Sequence, residues 1–446
     1  LSPATAPRVS RYTYQLHARA AVLEGILAGI IVTQDVVARK TLGASQWQLV
    51  LLTMAPGSSW LLSLFFANQF QQYDRRKLFF WAGFAGRLPL LTVAGMSGLW
   101  PFVAVLVLHG FVQTALIPAQ NSLYQQNYDP LVRGRLFGRA SLWGALATAV
   151  ASLVTGFAME YGPQIGRALG FHGGAPKWLL GPEAFRLLYP VAGIAGFGAC
   201  LVYGSIRLRG SGRPSLRAPI EAAARARWTP QELMLGPFRR AFHAVRTTLV
   251  EDPGFRRFEV AIFIYGLGFM VMQPVFAVLF VDELHMNYLQ ASLAKGVVFF
   301  AANIAAVAYA GRTYDRIGLE RLGARATILL AVFAAWLAWV NSPGEVIAAY
   351  VLFGVAMAAL NIVWSMGPIH YAPAGNAARY MSIHVALVGL RAILGHPLGG
   401  AIAEGARYLG LPRPSRPAFV VAAGLFGIAT VLMIRAERLS PKRKAH

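Results

Sequence analysis

The sequence has one cysteine in 446 residues, Cys200, and it lies in an apolar run. That excludes an internal disulfide framework and any cysteine-based metal cluster. A lone thiol in such a run reads as a small buried hydrophobe. Charge is also scarce. Asp, Glu, Lys and Arg make up 13% of the chain, where soluble domains carry roughly 25%. Acids are scarcer still, 18 against 41 Lys and Arg, which leaves a net charge of +23. No Walker loop, His-Glu-x-x-His, Gly-x-Ser-x-Gly or Cys-x-x-Cys occurs. Neither nucleotide hydrolysis nor metal catalysis has a constellation behind it, so an enzyme is not expected and no cofactor is implied. The segment from Leu1 to Arg11 is polar and basic, and no cleavable signal peptide is expected.

What is abundant is apolar length. The chain is 56% hydrophobic with mean hydropathy +0.51, too apolar for one globular core. Strands alternating at β-barrel spacing are absent. A membrane-spanning helix needs about 20 mostly apolar residues. On that rule the chain is an all-α polytopic membrane protein with twelve spans. The first six fall near 16–38, 47–70, 78–98, 101–124, 137–160 and 185–206. The second six fall near 257–281, 288–311, 325–341, 345–370, 380–404 and 417–436. A basic soluble protein would suggest nucleic acid. Here the basic residues sit in short loops such as Arg75-Arg76-Lys77, Arg133-Gly134-Arg135 and Arg316–Arg325. Topology explains them, and no nucleic-acid partner is expected. By the positive-inside rule these loops and both termini face the cytoplasm of an inner membrane.

The spans fall into two sets of six. The expected organisation is an N-terminal bundle over 1–206, a cytoplasmic linker over 207–256 and a C-terminal bundle with a basic tail over 257–446. Within the linker, Phe238, Ala241, Phe242, Val245 and Leu249 share a helical face, while Arg239, Arg240, His243 and Arg246 lie elsewhere. That pattern predicts an interfacial helix on an anionic lipid surface. Two motif pairs recur at nearly one offset. Asp74-Arg75 and Asp315-Arg316 are 315 − 74 = 241 positions apart, and Tyr128 and Tyr371 are 371 − 128 = 243 apart. The chain therefore reads as two halves of one ancestry.

The stretch Gly311-Arg312-Thr313-Tyr314-Asp315-Arg316-Ile317-Gly318 follows one apolar run and precedes another. It reads as a short interfacial loop, its glycines allowing close backbone approach or a sharp helix exit. Its Gly-x-x-x-Asp-Arg-x-Gly spacing resembles the loop between the second and third helices of each half of the major facilitator superfamily. The first-half copy keeps Asp74-Arg75 but has Phe70 where the family has glycine. The resemblance implies the family's fold, secondary transport by alternating access and a cavity lined mainly by spans 1, 4, 7 and 10. It also implies a gating role for Asp74, Arg75, Gly311, Asp315, Arg316 and Gly318. Asp74 would face the start of the eleventh span near Arg379, with Arg133 as a relay, and Asp315 would face the span that begins near Phe137.

Ionisable groups inside spans are costly, so they are functional candidates. Arg391, about 15 Å from either surface at 1.5 Å per residue, reads as a substrate anchor or as the partner of an internal carboxylate. Lys295 either binds substrate or reaches the headgroups along its stem. Glu24 is a candidate for substrate, for a proton, or as the partner of Arg391. Asp35 is a second proton candidate, though nearer the surface. Gln113, Gln273 and Asn361 fit the cavity-lining set implied by the resemblance. Gly25 with Gly29, and the Gly395–Gly400 segment, read as helix-packing seams.

The functional expectation is a monomeric secondary transporter of a small anionic or zwitterionic organic solute, coupled to protons and seated among membrane lipids. A lipid or amphiphilic-drug exporter is the alternative within transport. A transporter-like receptor or assembly scaffold is the alternative outside it.

Overall fold

The computed structural model describes residues 7–62, 75–129, 131–168, 181–207, 245–373 and 376–438. Every regular element among them is helical. Among the described residues, eleven helical segments are long and apolar enough to cross a membrane. The second predicted span is represented by its described part, Gln46–Leu62.

The first half begins with α1 (Arg8–Ile31), continued almost in line by α2 (Gln34–Lys40). It goes on through α3 (Gln46–Ser58), α4 (Arg75–Gly86), α5 (Leu99–Asn127), α6 (Arg133–Ala168) and α7 (Phe185–Ser205). The second half holds α8 (Pro253–Met272), α9 (Tyr288–Ser292), α10 (Phe299–Ile317), α11 (Leu319–Trp339), α12 (Pro343–Tyr371), α13 (Ala377–Tyr408) and α14 (Arg416–Arg438). The end of the bundle that holds the first residues of α1 and the last of α14 is the near end. The opposite end is the far end.

Small residues set the helix packing. A Cβ on Gly25 or Gly29 would meet the carbonyl oxygens of Gly144 or Thr148 at 2.3 and 2.4 Å, so α1 lies backbone-to-backbone on α6. A Cβ on Gly399 would sit 2.0 Å from the Val271 oxygen, and one on Gly400 2.3 Å from Val50. Helix α13 is thereby wedged between α8 of its own half and α3 of the other. Both glycine seams expected from the sequence are packing seams, for the reason that apolar lipid gives no drive to helix association beyond close contact.

The Gly311–Gly318 stretch corrects the sequence reading. Residues 311–317 are the last two turns of α10, not a loop. Only Gly318 leaves the helix, at φ +83°, a conformation that favours glycine. It ends α10 and starts α11 in a single residue. The stretch stays helical because it is amphipathic: Thr313 is buried while Arg312, Asp315 and Arg316 are exposed. Gly311 has open space where a Cβ would be, so no close approach occurs there. In the first-half copy Asp74 lies outside the described residues, and Arg75 begins α4.

Three irregular segments fall between the middle of the seventh predicted span and the start of the eighth. At Gln273-Pro274 the end of α8 passes into a 3₁₀ segment, where proline has no N–H to give the α-helical ladder. Beyond it, Val278–Glu283 and Leu293–Val298 are π-helical. Such segments are uncommon and concentrate at working positions. The predicted linker helix is described only from residue 245; residues 245–251 are helical, and its earlier residues lie outside the described residues.

Candidate functional site

Three polar constellations occupy otherwise apolar packing. The first lies inside the first half. Arg87, at the junction of α4 and the following 3₁₀ segment, is 1% exposed. Its guanidinium bonds both oxygens of Glu24 on α1 at 3.1 Å. It also donates to His109 Nε2 at 3.0 Å and to the Gln113 side-chain oxygen, both on α5. His109 Nδ1 reaches the Gly86 carbonyl at 3.1 Å, which assigns the proton to Nδ1 and the lone pair to Nε2. One buried cation thus ties three helices together. An ion pair this deep is defended by its hydrogen bonds, and removing either partner leaves an uncompensated charge.

The second constellation lies inside the second half. Glu259 on α8 accepts from His384 Nδ1 on α13 at 2.8 Å, with both side chains almost wholly buried. Phe258 stacks on His384 and Trp364 meets it edge-on, its ring 5.4 Å away. His384 Nε2 is buried without a hydrogen-bond partner among the described residues. Two turns along α13, Arg391 is 4% exposed. It donates to the Ile262 carbonyl at 2.8 Å and lies 5.9 Å from the Tyr265 ring centroid. It fits there because Gly266 has no side chain: a Cβ would be 2.3 Å from the guanidinium. No carboxylate of a described residue forms an ion pair with Arg391, and its Nε has no partner.

The third joins the halves at the far end. Lys295 in the second π segment binds Asp35 on α2 at 2.5 Å. Arg39 binds Asp282 with Nε–Oδ1 at 3.0 Å. Lys40 donates to the Met286 carbonyl at 2.8 Å, and Ser152 to the Ser292 carbonyl at 3.2 Å. Gln46 Nε2 donates to the carbonyl of Pro274 at 3.1 Å. The break around Pro274 thus offers a carbonyl that the other half uses.

These placements sort the residues singled out from sequence. Glu24 and Gln113 come together, but their shared partner is Arg87, so Glu24 does not pair with Arg391. Arg391 binds a carbonyl and no internal carboxylate. Lys295 does not reach for headgroups; it is committed to Asp35, which is 5% exposed and not solvated. Gln273 sits half-buried in the 3₁₀ turn, and Asn361 is exposed on α12. Asp315 is exposed and has no ion-pair partner among the described residues, so the contact expected near Phe137 is absent here. Arg379 is exposed and reaches Thr247 at 3.3 Å, while Arg133 reaches the Tyr128 carbonyl at 3.3 Å. Their expected partner Asp74 lies outside the described residues. Cys200 is buried and free. Sequence reasoning missed Arg87 and Glu259, although both lie inside predicted spans and the rule that flagged Arg391 applies to them equally.

The second half of the chain, residues 259–446, matches the sequence model of the Major Facilitator Superfamily. No curated protein sequence matches the chain. Among solved structures, a bacterial homologue of the human lysosomal transporter Spinster, inward-facing and unoccupied, superposes with TM-score 0.67 at 17% identity, covering 98% of this chain and 100% of that one. The nucleoside transporter NupG gives 0.68 at 11% identity, covering 95% and 99%. The E. coli fucose:proton symporter FucP gives 0.58 at 10% identity, covering 96% and 99%. The second half of this multi-pass membrane protein thus matches the sequence model of the major facilitator superfamily, and nearly its whole length shares the fold of these transporters.

Proposed function

We propose that the protein is a secondary active transporter of a small organic anion or zwitterion, driven by protons and working by alternating access in an inner membrane with both termini cytoplasmic. The observation that carries the substrate class is Arg391, a buried guanidinium held by a carbonyl and an aromatic face, with no carboxylate among the described residues bound to it. Desolvating a charge is costly unless it is paired. A ligand carboxylate or phosphate is the partner that would complete this site. Arg87, by contrast, already has Glu24.

Glu24 and Asp35, the proton candidates read from sequence, are each engaged in an ion pair. The group able to take a proton without breaking one is the His384–Glu259 pair, whose Nε2 has no partner. Arg391 lies two turns from His384 on the same helix. A proton at His384 Nε2 turns the net charge of this pair from negative to neutral, and so favours an anionic ligand at Arg391. Protons would then enter with the substrate. The far-end contacts, with the basic loops at the near end, support reading this conformation as inward-facing. FucP, a proton symporter by name, shares the fold.

The test combines thermal stabilisation with transport. Binding raises apparent stability by mass action. An organic anion should stabilise the wild type and not Arg391→Gln. In proteoliposomes, Glu259→Gln should still exchange substrate but no longer accumulate it under a pH gradient. Stabilisation of Arg391→Gln equal to that of wild type would remove the anion assignment. Full accumulation by Glu259→Gln would remove the coupling assignment.

A further inference from the structure

At the near end of the second half, α10, α11 and α12 frame a groove in two connected parts. The inner part is an apolar slot of about 350 Å³ whose walls include Ala306, Ala310, Leu322, Ala326, Leu329 and Ala359. The slot is open because four of those positions carry alanine. The outer part, also about 350 Å³, is lined by Arg312, Arg316 and Arg325, and it shares Tyr309, Thr313 and Arg325 with the slot. Arg312 lies six residues before Gly318 and Arg325 seven after it. Both therefore stand about 10 Å inside the near end at 1.5 Å per residue, on opposite walls of the groove.

The chain from α10 to α12, residues 299–371, is described without a gap. Arg312, Arg316 and Arg325 form no hydrogen bond or ion pair with any described residue. The acids of the same three helices lie outside the groove. Asp315 is exposed on another side of α10. Glu320 accepts from the Tyr371 hydroxyl at 2.6 Å, and Glu345 from Ser342 at 2.9 Å, at the far end of α12. On the face of α11 that carries Arg325, Ile328, Val332 and Trp336 follow at helical spacing, exposed by 47, 48 and 38%. In a chain that crosses a membrane, such outer faces lie against acyl chains. Tyr309, exposed by 69%, stands where the slot meets the arginines, and an aromatic ring with a polar tip belongs at the headgroup boundary.

We propose that this groove binds one anionic phospholipid from the leaflet at the near end. Its phosphate sits between Arg312 and Arg325 with Arg316 beside them. One acyl chain enters the alanine slot and the other lies along Ile328, Val332 and Trp336. A charge this far inside a span is costly without a partner, and planar guanidinium groups match phosphate oxygens in pairs. Basic pockets between transmembrane helices take anionic headgroups for this reason. Three cations, with no carboxylate of a described residue lining the groove, favour net negative charge over a zwitterion. Free phosphate would leave the slot unused.

The test is lipid retention by the full-length protein in mild detergent, read by native mass spectrometry after incubation with phosphatidylglycerol or phosphatidylcholine. Wild type should retain one phosphatidylglycerol more tightly than phosphatidylcholine. Arg312→Gln/Arg325→Gln should hold it about 25-fold more weakly, at roughly fivefold per cation. Ala306→Leu fills the slot, leaves every charge in place and should also weaken retention. Arg135→Gln/Arg139→Gln removes the same charge from exposed positions at the same end of the other half, and should bind as wild type does. Chromatographic profile and lipid-free melting temperature check that each variant is folded. Equal loss in the Arg135/Arg139 control would show a diffuse field and overturn the site. Displacement by millimolar inorganic phosphate, or indifference to Ala306→Leu, would overturn the lipid assignment. Equal retention of phosphatidylcholine, or no phosphatidylglycerol retained by wild type, would overturn the proposal as a whole.

Discussion

Arg87 is the most informative single perturbation in the first half. Its side chain bonds Glu24, His109 and Gln113 from a position with 1% exposure. Arg87→Met keeps the apolar stem and deletes the guanidinium. Glu24 is then a carboxylate in an apolar interior, and two further acceptors lose their donor. Breaking a buried pair from one side costs about 3–5 kcal/mol. An exposed pair would cost about 0–1 kcal/mol, so the two regimes are separable. The second variant decides the cause. In Glu24→Gln/Arg87→Met no charge remains, and most of the loss should return, with a coupling of about 2–3 kcal/mol. Unfolding in mixed micelles of mild and denaturing detergent, monitored for all four corners of the cycle, measures this directly. A loss below about 1 kcal/mol for Arg87→Met, or a double variant no better than the single one, would refute the argument that the cluster is held by one desolvated charge pair.

Three further outcomes follow from the packing. Gly25→Val should unfold or severely destabilise the first half, because a Cβ there meets the Gly144 carbonyl at 2.3 Å; unchanged melting would contradict the seam. Gly311→Ala should be neutral or stabilising by up to about 1 kcal/mol, since the residue is helical with open space beside it, whereas Gly318→Ala should destabilise at φ +83°; the reverse order would restore the close approach expected of Gly311 from the sequence. At the far end, a Cβ on Gly156 would lie 2.7 Å from the Ser292 Cβ, near enough for a disulfide after a small shift. Gly156→Cys/Ser292→Cys should oxidise readily, with buried Cys200 as the one native thiol. It should arrest uptake until reduced; undiminished uptake by the oxidised protein would mean that the far end need not open.

The sequence made the spans legible because each must supply about 20 apolar residues wherever it packs. It made their ends less legible, since amphipathic turns continue the helices. Helix α6 runs to Ala168 where the apolar run stops near 160, and α10 runs to Ile317 where it stops near 311. The glycine seams were readable for the same local reason: small residues at helical spacing have few other uses. Pairing was not readable. Whether Glu24 meets Arg87 or Arg391, and whether Lys295 points to lipid or to Asp35, depends on the rotation and tilt of whole helices. A one-dimensional pattern holds the candidates for such pairs without their geometry. Arg87 was open to the same rule that found Arg391, but it sits beside Gly86 and Pro89 near a helix break, where a charge reads as an interruption of the span.

Gly318 carries a mechanical consequence. One residue between α10 and α11 leaves no slack, so the two helices are fastened to each other at the near end. The π segment with Lys295 stands at the other end of α10, about 30 Å away at 1.5 Å per residue. Release of Lys295 from Asp35 therefore acts at the tip of a lever whose fulcrum is a single glycine. A shift of an ångström at the tip tilts α10 by about two degrees about that glycine, without unwinding it.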